Sequence, residues 1–167
     1  MSERTSTGSR ILEVAWDDPR AAALRDELDT DLGARYDGFH GDEPAERTVA
    51  RSRALAMHPE EIVATLITAD EDGTPTGHVI LRRLGAEWEI KRLVVTAAAR
   101  GRGLARALMT AALDRARAGG AGRVILQTGI PQPESIALYE SLGFTRIPVY
   151  EPYIETMPRS VCFAYRF

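Results

Sequence analysis

The sequence predicts a single α/β domain built on a mixed, mostly antiparallel sheet with helices on both faces. Three features carry this reading. Three strand-like runs between residues 62 and 95 are separated by glycine-marked turns; a long amphipathic helix spans 104–118; strand, helix and strands then alternate to the end. The chain has 167 residues, and a domain of about that length buries about 68–70% of the surface its unfolded form exposes.

Residues 1–9 are polar and read as a flexible tail, with 10–167 as the folded domain. Ile11 to Trp16 is strand-like. Asp17 or Asp18 caps a helix with Pro19 in its first turn, whose apolar face is Ala22, Leu24, Leu28 and Leu32. Gly33 to Pro59 is less regular, although Glu46 to Met57 has a helical pattern. Ile62 to Thr68, Gly77 to Leu84 and Glu87 to Val95 form an antiparallel meander with a hairpin at Glu71-Asp72-Gly73. The helix over Leu104 to Ala118 carries apolar residues at 104, 105, 108, 112 and 116 and stops at Gly119-Gly120. Arg123 to Thr128 is a short buried strand, and Pro133 to Leu142 a helix ended by Gly143. Phe144 to Val149 and Ser160 to Phe167 complete the sheet.

Composition excludes several classes. Hydrophobic residues make up 44% and charged residues 27%, which is globular rather than disordered. A single cysteine, Cys162, rules out an internal disulfide, and His40, His58 and His78 lack metal-ligand spacing, so no metal is expected. The net charge of -3 offers no footprint for nucleic acid or an acidic membrane. The 21 basic residues are 20 arginines and one lysine, Lys91, so an arginine gains meaning from its position and not its type. The first residues lack the apolar stretch of a secretory leader, and runs such as Leu93 to Ala99 are far short of the roughly 20 residues of a membrane span. A cytoplasmic protein is expected.

The most informative segment is Leu93-Val94-Val95-Thr96-Ala97-Ala98-Ala99-Arg100-Gly101-Arg102-Gly103-Leu104-Ala105, a strand entering a glycine-containing loop that opens a helix. Free N–H groups at a helix N-terminus attract anions. Gly101 and Gly103 remove side chains from the approach, and Arg100 and Arg102 add positive charge, which suits two phosphates in line. A nucleotide P-loop would need Gly-Lys-Ser/Thr, which is absent. A dinucleotide fingerprint would need a small residue at Arg106 and an acid near Gln127 or Thr128.

Arg100-x-x-Gly103-x-Ala105 after a strand resembles the coenzyme A pyrophosphate loop of the GNAT superfamily of N-acetyltransferases. Ile136-Ala137-Leu138-Tyr139-Glu140-Ser141-Leu142-Gly143-Phe144 is similar to that family's second signature, and the likeness covers about residues 60 to 167. It implies a GNAT-like single domain using acetyl-CoA as acyl donor. Leu93, Val94 and Val95 would pair with the pantetheine arm, the Val95 N–H would bind the thioester oxygen, and N–H groups from Gly101 through Arg102, Gly103, Leu104 and Ala105 to Arg106 would cradle the pyrophosphate. Gln132 would contact the coenzyme, and Tyr139 would be the general acid. Where some members carry a basic glutamate this chain has Gln127, which cannot take a proton; Glu89 stands where others carry theirs. Period-two alternation puts Glu89, Lys91, Leu93 and Val95 on one strand face, so Glu89 either serves as base or pairs with Lys91.

The implied reaction is direct attack of a primary amine on acetyl-CoA through a tetrahedral intermediate. Cys162 reads as a core residue, His58 and His78 as surface or structural groups, and His40 as a neighbour of the acceptor site. Residues 33 to 60 and 148 to 158 would shape that site, and Arg35, Tyr36 and Arg92 are candidates for an acceptor carboxylate, favouring an amino acid or small metabolite. A protein amine is the rival acceptor, and a non-catalytic coenzyme-binding sensor or scaffold the rival class. Edge strands of such a sheet commonly pair across a two-fold, which admits a homodimer.

Overall fold

A computed structural model describes residues 3–4 and 8–167; the expected tail therefore lies partly outside the described residues. Eight strands among these form one sheet: β1 (Glu3–Arg4), β2 (Arg10–Val14), β3 (Ile62–Ala69), β4 (Pro75–Leu84), β5 (Glu87–Val95), β6 (Arg123–Gly129), β7 (Thr145–Ile147) and β8 (Ser160–Arg166). Their order is β1-β2-β3-β4-β5-β6-β8-β7. Every neighbouring pair is antiparallel except β5 with β6. The helices are α1 (Pro19–Arg35), α2 (Ala45–Leu55), α3 (Leu104–Ala118), α4 (Pro133–Ser141) and the short α5 (Tyr153–Thr156).

Local chemistry sets the boundaries. Asp18 caps α1 by accepting the Arg20 backbone N–H at 2.9 Å, with Pro19 at the first helical position. The last strand pair is shorter than the sequence pattern: β7 covers only Thr145–Ile147. Pro148 follows it and cannot donate to a ladder.

Period-two alternation divides the sheet between two cores. Leu66, Val79, Leu81 and Ile90 pack with Leu108, Met109, Ala112 and Ala116 of α3, and this cluster runs on to Phe144, Phe163 and Tyr139. On the opposite face Ile67 and Val94 meet Ala21, Leu24 and Leu28 of α1. The meander strands are buried on both faces, so they read as near-continuous apolar runs. No helix among the described residues is long and apolar enough to cross a membrane.

Gly77 sits where three elements converge. A Cβ there would lie 2.6 Å from Thr68 Oγ1 and 2.9 Å from Leu108 Cδ1. Its absence lets α3 settle against β4 beside the end of β5. Gly77→Ala is expected to destabilise the fold by about 1–3 kcal/mol through overpacking, read as a lower urea midpoint with an unchanged m-value.

Candidate active site

Strand β5 is regular as far as Lys91. There the register against β4 slips: Ile80 faces Lys91, but His78 faces Val94, so β5 holds one more residue than β4 in the same stretch. Such a bulge kinks a strand and re-aims its side chains. Arg92 carries it with φ +59°, in the left-handed region that side chains rarely occupy. The extra residue overturns the simple alternation. Ile90 and Leu93 both pack toward the α3 core, whereas Val94 joins the α1 core. Glu89 and Lys91 therefore share a face with Val94, not with Leu93 and Val95.

A histidine holds the bulge. His78 is fully buried, with Nδ1 2.7 Å from the Arg92 carbonyl oxygen and Nε2 3.2 Å from Arg25 Nη1. Arginine can only donate, so Nε2 accepts and Nδ1 carries the proton given to the Arg92 carbonyl. Burial lowers the His78 pKa to about 4, the charges of Arg25 and Arg92 adding to it against the Arg92 hydrogen bond, which keeps the ring neutral near pH 7. Arg25 is itself fixed by the Trp16 carbonyl at 2.7 Å and by the Trp16 ring, 3.8 Å below its guanidinium. In a trans peptide the carbonyl and the following N–H point in opposite directions. The clamp on the Arg92 carbonyl thus turns the Leu93 N–H away from His78.

The parallel pair β5–β6 is joined only at Glu89 with Ile125 and Ile90 with Leu126. Beyond it the strands separate, and a cavity of about 570 Å³ opens, lined by Lys91, Arg92 and Leu93 of β5, Gln127 and Thr128 of β6, and Tyr139 of α4. This volume lies within the usual range for small-molecule sites. Of the three β5 residues expected beside a pantetheine arm, only Leu93 borders the cavity; Val94 and Val95 pair with His78 and Gly77.

Glu89 does not border it. The carboxylate is fully buried, accepting from Arg82 Nε at 2.7 Å, Tyr150 Oη at 2.6 Å and Tyr153 Oη at 3.2 Å. Nor does Glu89 pair directly with Lys91: Tyr153 stands between them, with Lys91 Nζ donating to its hydroxyl at 2.8 Å. Burial lowers Lys91 to about 8, with Glu89 opposing that shift and Arg82 and Arg92 adding to it. The contributions of Arg82, Tyr150 and Tyr153 were not foreseen from sequence. A usable signal is present in the sequence, since Glu87, Glu89 and Lys91 place a charge at every second position of a strand that lies inside the sheet.

At the end of β5 the chain makes a turn at Ala97–Ala99 and enters α3 through Gly101 and Gly103, both left-handed at φ +78° and +74°. No side chain caps α3, its first turn has no acid, and its first backbone bond runs from the Ala107 N–H to the Gly103 carbonyl. A Cβ on either glycine would point into open space, so the start of α3 is unobstructed at these two positions. That arrangement fits an anionic pyrophosphate. The arginines divide. Arg100 is exposed at the loop, whereas Arg102 turns back to Asp70 at 2.7 Å and Ser9 at 2.8 Å, so its charge is committed to holding the β3–β4 hairpin. Arg106 bonds Ser141 Oγ at 2.6 Å, joining α3 to α4.

Tyr139 packs its ring 5.9 Å from those of Phe144 and Phe163, and burial raises its pKa, so the phenol keeps its proton at neutral pH. Gln132 donates to Tyr36 Oη at 3.0 Å, and Tyr36 lies so close to β6 that a Cβ on Gly129 would fall 2.0 Å from its hydroxyl. Gln127 donates to Ser160 Oγ at 2.9 Å. His40 stacks on Tyr36 at the cavity wall, its pKa lowered by burial and by Arg51. His58 is exposed. Two of the residues considered for an acceptor carboxylate are already engaged: Arg92 with Asp29 at 2.5 Å, and Arg35 with Asp31 and Glu134.

A bulged strand parting from its parallel neighbour, followed by a capless helix that presents its N–H groups, is the architecture of an acyl-CoA-dependent transferase. Comparison with known proteins agrees. The family model described as the acetyltransferase (GNAT) family matches residues 13–144. The chain belongs to this family, and acetyl-CoA is the donor the family uses. The IAA acetyltransferase of Azospirillum brasilense is 32% identical over 132 residues, covering 78% of this chain and 80% of that protein. The N-alpha-acetyltransferase RimI of Mycobacterium tuberculosis is 34% identical over 119 residues, covering 69% and 70% respectively. A crystal structure from Klebsiella pneumoniae subsp. pneumoniae MGH 78578, assigned to the acyl-CoA N-acyltransferases, shares the fold. Its TM-score is 0.75 at 24% identity, covering 95% of this chain and 97% of that one.

Two measurements test the buried groups. The native state refuses a proton at His78 that the unfolded chain takes below its ordinary pKa of 6.5, so stability falls as pH drops from about 6.5 to about 4. The expected loss is about 3 kcal/mol, and the His78 ring signals in an NMR titration should stay those of a neutral imidazole at pH 5. Glu89→Gln removes the buried partner of Arg82 and leaves it only the partly exposed Glu61 at 3.3 Å, which is expected to cost about 2–4 kcal/mol in chemical denaturation.

Proposed function

We propose that this chain transfers the acetyl group of acetyl-CoA to the primary amine of a small metabolite or amino acid by direct attack. The observation that carries the reading is the meeting of Leu93 and Tyr139 on one cavity at the parting of β5 and β6. The pyrophosphate rests on the N–H groups from Gly101 to Arg106. The Leu93 N–H, aimed by the His78 clamp, donates to the thioester oxygen as charge builds in the tetrahedral intermediate; this role falls to Leu93 in place of Val95. Preorganised donors of this kind need no rearrangement at the moment of reaction.

Tyr139 assists departure of the thiolate. Its raised pKa makes it a weak acid, so it acts first as a hydrogen-bond donor to the sulfur as the C–S bond lengthens. Direct attack is supported by Cys162, whose thiol burial pushes up to about 11, leaving it protonated and poorly nucleophilic. Proton removal from the acceptor needs a group on the cavity wall that is uncharged or anionic near neutral pH. Glu89 is walled off and Gln127 has no basicity, while Asp29 is tied to Arg92. His40 lines the cavity in a form that favours the neutral ring, and we assign it this role.

Thermal melting with acetyl-CoA, CoA, NAD and ATP tests the donor. A ligand at 100 times its Kd adds about 2.7 kcal/mol, and a shift of a few degrees is expected with acetyl-CoA and CoA only. Tyr139→Phe is expected to keep that shift and to lower kcat by about 10²-fold or more in a thiol-release assay with small amines. Unchanged kcat would remove the phenol from the reaction.

A further inference from the structure

Three cations line the cavity, Arg51, Lys91 and Arg92, against one carboxylate, Asp29. Two of the cations are satisfied: Arg92 by Asp29 at 2.5 Å and Arg51 by Glu43. Lys91 is different. It enters none of the ion pairs among the described residues, and its one hydrogen bond there runs to Tyr153 Oη at 2.8 Å. An ammonium carries three N–H donors, so two are left over on a group only 7% exposed. The residue directly precedes the bulge that aims the Leu93 N–H. Glu89 reaches it only through the Tyr153 hydroxyl, and the centre of the Tyr153 ring lies 4.7 Å from Nζ; a buried cation with no carboxylate in direct contact is costly unless a partner arrives. Thr128, on the facing strand at the same cavity, adds a second polar group whose Oγ1 is buried without a partner.

The charge balance also selects against a simple cationic acceptor. A protonated alkyl amine or polyamine entering this cavity meets a net positive wall with its single acid already bound. An acceptor carrying its own acid group brings the missing charge with it.

We propose that the acceptor is an amine that also bears a carboxylate, an amino acid in the broad sense, and that the Lys91 ammonium receives that carboxylate. This rests on the acceptor being a small amine, and it moves the carboxylate site from the engaged Arg35 and Arg92 to Lys91. The groups facing Lys91 are Glu89 on its own strand, Arg82 on β4, Tyr153 on α5, Cys162 on β8, and Arg92 at the bulge.

The test measures thiol release from acetyl-CoA with matched pairs: leucine against 3-methylbutylamine, phenylalanine against phenethylamine, tryptophan against tryptamine. The carboxylated member of the preferred pair is expected to have a kcat/KM at least tenfold higher. In Lys91→Met, and in Lys91→Gln as a second variant, that ratio is expected to fall tenfold to a hundredfold, mainly through KM, while the melting shift with acetyl-CoA certifies the fold. A check on the unaltered enzyme uses a carboxylate with no amine, 4-methylpentanoate or 3-phenylpropionate, as inhibitor. Its Ki should rise above about pH 8 as Lys91 loses its charge. Equal or better turnover of the decarboxylated amines overturns the proposal and leaves amine acetylation standing, as does a ratio unchanged by the substitutions. Equal loss of kcat on both members would place Nζ at the reacting acyl group instead, and also overturns it. If acetyl-CoA binds but neither member of any pair is acetylated, the small-amine reading falls, and the carboxylate site with it.

Discussion

The hydrogen bond from His78 to the Arg92 carbonyl is short, buried and made by a ring whose proton has only one place to go. Arg25 can offer nothing but N–H, so the ring's acceptor faces it and its donor faces the bulge. Everything at the site follows from that peptide being held. With Arg92 in the left-handed region, β5 is split into a half paired with both β4 and β6 and a half paired with β4 alone, the cavity opening at the parting. The face of every later side chain is inverted, and one N–H is withdrawn from the ladder and turned outward. A left-handed arginine costs about 1–3 kcal/mol in strain, and it persists because the histidine, the arginine behind it and the tryptophan below form one continuous support.

The same strand carries a second buried polar assembly with a different purpose. Arg82 and Glu89 neutralise each other between the sheet and the Tyr150–Tyr153 segment, and the two phenols complete the carboxylate's hydrogen bonds. Ion pairs of this kind contribute little net stability. They do fix geometry, and here the geometry fixed is the rear wall of the cavity: Tyr153 reaches past Glu89 to hold the Lys91 ammonium. The segment following β7, which has little regular structure of its own, is thereby docked by charge and hydroxyls rather than by apolar area alone.

Much of this was legible in the sequence, and the exceptions share a cause. The limits of β5 and α3 match their expected ranges, because each is bounded by local chemistry: the turn at Gly85, the glycine pair at 119–120, a period of 3.6. The glycines of the loop before α3 also signal their own left-handed conformation. The bulge does not, since arginine at φ +59° is imposed by contacts with His78 on the neighbouring strand and leaves no trace in residue type. Alternation therefore misassigned the faces of Leu93 and Val95. Arg102 misled in the same way: its neighbours in sequence suggest phosphate, but its partner Asp70 lies 32 residues away, across the sheet. Glu89 draws notice by standing where some family members carry a basic glutamate, yet only the fold brings Tyr150 and Tyr153 onto it.

The arginine-rich composition has a chemical consequence for a protein that works with an activated thioester. Thioesters acylate unprotonated amines without any catalyst, and a guanidinium, with its pKa above 12, offers them none. With 20 arginines and one lysine, the outer surface presents no lysine side chain to its own cosubstrate, and the single exception is enclosed at the wall of the cavity. The exterior thus offers no lysine to the reagent the interior handles, so lysine self-acylation, where it occurs, is confined to one address.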